Sequence, residues 1–124
     1  MATRPYSIEK LETFGDDVRV TVWTALANGD DGQRFEMPGS ADRSMHFSGT
    51  PGTGGTIIVE GSNHLAPSTA ASDWFPLTDP QGNAISKTAA STGEAILELT
   101  RWIRPRVTGG DGTTSFQARL LVKR

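Results

Sequence analysis

The feature that most constrains this chain is a period of two. In "TSFQARLLVK", residues 114–123, Phe116, Ala118, Leu120 and Val122 alternate with polar or charged neighbours. In "VRVTVWTAL", residues 18–26, Val18, Val20, Val22, Thr24 and Leu26 fall on one side, and Arg19, Thr21, Trp23 and Ala25 on the other. Alternation of this kind, carried by valine, threonine and tryptophan, is the signature of half-buried strands. The clusters "NGDDG" (28–32), "DPQGN" (79–83) and "TGGDGT" (108–113) separate such runs and hold the residues that turns require. Several short strands punctuated in this way predict an all-β chain, an antiparallel β-sandwich or jelly roll.

Further strands are expected at "MHFSGT" and "GTIIVEGS". Another is expected at "AILELT" and "WIRPRV" (95–107), as two strands parted by Arg101 or one bent strand. Pro105 lacks a backbone donor, so its strand is expected to be an edge or to carry a bulge there. "TAASTGEAILEL" places Ala90, Ala95, Ile96 and Leu99 on a possible helical face, but Gly93 interrupts it and no cap precedes it, so strand is preferred. At 124 residues the chain fits one domain. Residues 1–17 are read as an extended N-terminal arm or edge strand, and residues 18–124 as the β-sandwich domain.

The stretch "GTPGTGGTIIVEGSN" (49–63) has four glycines in seven residues. A phosphate-binding loop needs a lysine after its glycines and a helix behind them. Here Thr56 and Ile57 follow and the next segment is strand-like, so the glycines are read as a hairpin connection needing positive φ. There is no cysteine, hence no disulfide framework and no thiolate metal site. Two histidines, His46 and His64, have no spacing that signals zinc. "NGDDG" resembles the start of a calcium loop, but the position for the bidentate glutamate is Gly39. Asp30, Asp31 and Asp42 are read as solvated turn acids in preference to a calcium site of another type. No serine sits in a G-x-S-x-G elbow and neither histidine has a marked partner. The expectation is a non-enzyme without cofactor or metal.

No apolar run reaches the ~20 residues that cross a bilayer. "MATRPYSIEK" has no apolar signal core, so export by a cleaved signal peptide is not expected. The net charge of −2 hides an asymmetry: residues 1–98 carry −7 and residues 99–124 carry +5. Without interleaved aromatic platforms and with a negative total, nucleic acid is not an expected partner.

"GTPGTGGTIIVEGSN", "DWFPLTDPQGNAI" and "ILELTRWIRPRVTGGDGTTSFQARLLVKR" together resemble small tailed-bacteriophage virion proteins of the capsid decoration, or cement, type. The resemblance covers roughly residues 43–124, and its motifs are structural turns. It implies a β-sandwich or jelly roll made in the host cytoplasm and placed on the outer capsid surface. It also implies binding to the major capsid protein and self-association as a homodimer or homotrimer. A second resemblance is to discoidin-type jelly rolls, through "VEGSN…W" and "RWIRPRV". It implies a carbohydrate- or cell-surface-binding module of a phage tail or fibre. The chain departs from that pattern at "HLAPSTAAS", which replaces a short Asp-Gly turn.

The expected interface residues follow. Tyr6, Ile8, Leu11 and Phe14 either dock on a neighbouring subunit or extend the domain's own core. Trp23, opposite the valine face, is an exposed anchor unless the two faces are exchanged. Arg101, Arg104 and Arg106 are placed against acidic capsid residues, and Trp74 and Trp102 in the core.

Overall fold

A computed structural model describes residues 2–11, 15–37, 42–89 and 91–123. The strands are β1 (Thr3–Arg4), β2 (Tyr6–Leu11), β3 (Gly15–Leu26), β4 (Asp31–Gly32), β5 (Phe35–Glu36), β6 (Asp42–Thr50), β7 (Thr56–Ser62), β8 (Phe75–Pro76), β9 (Ser86–Lys87), β10 (Ser91–Ala95), β11 (Trp102–Thr108) and β12 (Ser115–Lys123). They form a β-sandwich. One sheet runs β1-β4-β11-β7-β8, with β5 also on β11 and β9 also on β7; the other runs β10-β6-β12-β3-β2. All pairings are antiparallel except β1 with β4. The N-terminal segment supplies a margin to each sheet, β1 to the first and β2 to the second.

Between the sheets lie Leu26, Met45, Phe47, Ile57, Val59, Leu77, Ile103, Val107, Phe116, Ala118 and Leu120, with Trp23 among them at 0% exposure. Trp23 is therefore core and not an exposed anchor. Its misassignment has a local cause. Ala25 has φ +56°, and the pairing steps from Phe116 opposite Leu26 to Ala118 opposite Trp23. That bulge inserts one residue, so Trp23 and Leu26, three apart, both point inward. The valines at 18, 20 and 22 take the opposite face, where Val22 lies across from Arg119.

Pro105 also departs from expectation. Its strand, β11, is interior: β7 pairs with it from Trp102 to Thr108. On the other side, β5 covers Trp102 and Ile103 while β4 meets Arg106, leaving Pro105 at the gap between two short strands. A missing donor costs nothing at such a gap. Gly32 makes room for the ring, since a Cβ there would lie 2.7 Å from Pro105 Cδ and 2.7 Å from Trp23 Cδ1.

The glycine-rich stretch is not a hairpin. β6 and β7 lie in different sheets, so residues 51–55 form an arch from one to the other, and residues 109–114 form a second arch from β11 to β12. The arches interlock. Asp111 accepts from Thr53 N (3.0 Å), Thr113 N (2.9 Å) and Thr113 Oγ1 (2.7 Å), while Thr114 Oγ1 donates to Pro51 O (2.9 Å). Gly52 (φ +64°) and Gly110 (φ +114°) occupy the left-handed region, and a Cβ on either would strike the partners just named. The hydrogen bonds from Thr113, and then from Thr53, hold the Asp111 carboxyl well below its usual 3.8. A depressed folded-state pKa gives stability that is complete above the unfolded value and is lost as pH falls through the folded one. Asp111→Ala is therefore expected to lower the thermal midpoint at pH 7. Its deficit relative to wild type should shrink as the pH is taken below 3.8, as followed by circular dichroism. A deficit independent of pH would show that the carboxylate is not the lock.

"AILELT" is not a strand. β10 ends at Ala95, and residues 96–101 carry the chain from one sheet to the other. Alternation persists along this crossing: Ile96 and Thr100 are buried, and Leu97 and Leu99 are exposed. Between them Glu98 accepts from Thr78 N (2.7 Å) and Thr78 Oγ1 (2.5 Å).

Candidate functional site

Ile103 and Val107 of β11 face the core, so Trp102, Arg104 and Arg106 rise from the opposite face of the sheet. On β7 the same rule turns Glu60 outward beside Arg104, its cross-strand neighbour. Arg104 is nevertheless 1% exposed. Its Nη1 meets Asp31 Oδ2 at 2.8 Å and its Nε donates to Glu60 Oε1 at 3.1 Å. Its Nη2 lies 3.0 Å from the same Glu60 oxygen, in ion-pair contact without hydrogen-bond geometry. Arg106 Nε reaches Glu60 Oε1 at 2.9 Å. The Trp74 ring closes the cluster, with the Arg104 guanidinium 4.3 Å from its centroid. Two acids and two arginines thus balance on a face that solvent would otherwise cover.

What covers it is the segment 64–73. Three consecutive carbonyls of this strap are held by side-chain donors: Pro67 O by Arg34 Nη1 (2.6 Å), Ser68 O by Trp74 Nε1 (2.7 Å) and Thr69 O by Arg104 Nη1 (3.3 Å). Trp102 Nε1 anchors the start of the strap at His64 O, 2.9 Å away. Hollows of about 280 and 570 Å³ flank Thr69. The run "HLAPSTAAS" is thus fastened largely through its backbone carbonyls.

The acids of "NGDDG" are not solvated. Asp30 is 3% exposed and ties down the N-terminal strand, accepting from Ala2 N (2.9 Å), Arg4 Nε (2.7 Å) and Ala27 N (2.9 Å). Burial works against its charge, but the hydrogen bond from Arg4 and those from Ala27 and Ala2 outweigh it and lower its pKa. Asp31, 5% exposed, accepts from Thr3 Oγ1 (2.7 Å) and from Arg104. No group of three or more potential metal ligands occurs among the described residues.

The expected interface residues are scattered. Trp23 and Arg104 are inside the protein. Tyr6 extends the domain's own core, meeting Trp23 edge-on at 6.0 Å and Phe35 at 5.5 Å. Ile8 is 42% exposed on β2; Leu11 ends that strand, and Phe14 lies outside the described residues. Arg101 is exposed and pairs with Glu36 at 3.0 Å, and Arg106 is half-buried on Glu60. Trp74 is buried, but against Arg104 and not between the sheets, and Trp102 is half-buried with Arg34 4.6 Å over its ring.

The two ends of the strap flank a shallow cleft of about 440 Å³, open to solvent and lined by Asn63, His64, Ser72, Asp73, Trp74 and Phe75. Asn63 Oδ1 accepts from Arg101 N at 2.9 Å, which orients its amide. Asp73 Oδ2 accepts from Ser68 N and Ser68 Oγ, both at 2.8 Å. These bonds, with a smaller contribution from His64, lower the Asp73 pKa. Phe75 stands 40% exposed on the margin strand β8.

No protein-family model and no curated protein matches the chain. Among solved structures, the K2 cleaved adhesin domain of Lys-gingipain is similar, with a TM-score of 0.52 and 8% identity over 98% of this chain and 84% of that one. At that identity the likeness is one of fold: the adhesin domain supports the β-sandwich and nothing finer.

Proposed function

We propose that this chain is a bacteriophage capsid decoration protein. It binds the outer surface of the major capsid protein lattice, self-associates as a dimer or trimer, and stabilises the head without catalysing a reaction. The observation that carries the reading is the crossing segment 96–101. Glu98 and Arg43 lock it from beneath, the Arg43 guanidinium donating to the carbonyls of Leu97 and Glu98, while Leu97 (55% exposed) and Leu99 (64% exposed) are held outward. Exposed leucines on a rigid, hydrogen-bonded segment are the makings of a protein contact. The resemblance of the turn motifs at 49–63, 79–83 and 108–113 to those of decoration proteins adds support. So does the structural use of Asp30, Asp31, Glu60 and Asp111, which fasten strands and arches. Repetition over a lattice turns a small contact of this kind into firm attachment.

The test is co-sedimentation with undecorated capsids of the source phage across rising protein concentration. Saturation at a fixed copy ratio is expected, and Leu97→Asp with Leu99→Asp should weaken binding by about tenfold or more. Folded protein that fails to bind mature capsids would overturn the reading.

A further inference from the structure

We propose that the cleft between the two ends of the strap binds a neutral saccharide. The site is independent of the capsid contact, which lies at Leu97 and Leu99.

Its polar groups are half anchored and half open. Asn63 uses Oδ1 to accept from Arg101 N, which leaves Nδ2 as an oriented donor without a partner among the described residues. Asp73 uses Oδ2 to accept twice from Ser68, which leaves Oδ1 as an acceptor, likewise without a partner. A fixed donor and a fixed, charged acceptor in one cleft suit a ligand whose groups both donate and accept, as hydroxyls do. Beside them the exposed ring of Phe75 offers an apolar platform for the C–H face of a pyranose, while Trp74 forms a wall already braced by Arg104. Preorganisation of this kind spares a ligand the cost of ordering its partners. The cleft is shallow and open, so its volume of about 440 Å³ suits a ligand laid against the surface with one face left to solvent. The Asp73 carboxylate disfavours phosphates and acidic ligands.

The experiment is a titration of the full, isotope-labelled chain with glucose, galactose, mannose, N-acetylglucosamine and their disaccharides, followed by amide NMR shifts. Saturable shifts at residues 62–64 and 72–75 are expected with at least one probe, at a Kd of about 1 mM or tighter. Phe75→Ala, at an exposed position, should keep the amide spectrum of a folded protein and weaken that binding by about tenfold. Asp73→Asn should weaken it as well, and capsid co-sedimentation of Phe75→Ala should match wild type. The proposal is overturned by the absence of shifts with every probe up to about 50 mM. Shifts elsewhere on the surface, equal binding by folded Phe75→Ala, or a preference for adenosine over every sugar would overturn it too.

Discussion

Arg104→Leu is expected to destabilise the protein by about 3–5 kcal/mol, the cost of stranding buried charges whose partner has been removed. Leucine supplies apolar volume but leaves Asp31 and Glu60 buried, 5% and 4% exposed, with Arg106 still paired to Glu60 and Asp31 left without its ion-pair partner among the described residues. Against a total of about 5–15 kcal/mol for a domain, that is a large fraction. The thermal midpoint should fall by roughly 10 °C or more. The strap should loosen as well, since Thr69 O loses its donor and Trp74 loses the guanidinium 4.3 Å from its ring. Hydrogen exchange at residues 67–74 would register this directly. Arg104→Lys keeps the charge but cannot reproduce the fork that reaches both acids, so it should fall between the two. A loss below about 1 kcal/mol for the leucine variant would mean that the network is dispensable, as some buried ion networks are.

Trp23→Ala should cost a similar amount, about 3–5 kcal/mol, by a different route. The ring fills the centre of the core, abuts Gly32 and Tyr6, and donates from Nε1 to Gln33 O at 2.9 Å. Truncation leaves a large cavity and an unpaired carbonyl. Tyr6 and Phe35 are the side chains placed to fall into it, so protection of β2 and β5 should drop together. Urea unfolding of Trp23→Ala beside Trp23→Phe would separate cavity from hydrogen bond. An alanine variant as stable as wild type would contradict the assignment of this residue to the core.

The strands were legible where alternation and propensity agreed, as in β12, whose four inward residues are Phe116, Ala118, Leu120 and Val122. They were less so where the backbone altered its own period. The bulge at Ala25 reversed the facing of Trp23, and nothing in "VWTAL" marks an alanine for a left-handed φ. Leu97 and Leu99 alternate as a strand would, because a crossing chain between two sheets also has an inside and an outside. The candidate site was harder to see. Arg104 and Arg106 read as exposed charges on a polar strand face, since what buries them arrives from residues 31, 60 and 67–74. The one available signal was "HLAPSTAAS", an insertion too long for a turn.

The two interlocked arches bear on how the chain reaches this state. Because they send strands to opposite sheets, β6 and β7 never pair with each other, and neither do β11 and β12. Lys123 finds Val18 across most of the chain, and Thr108 finds Thr56 across two-fifths of it. Apart from the β2–β3 pair, little can be gained locally before those distant ends meet, since loop closure must precede the contacts that repay it. Folding will accordingly be slow for a domain of this size, on the order of milliseconds to seconds. During that interval β12, the central strand of its sheet, has both edges open, which makes it the segment most exposed to pairing with another copy.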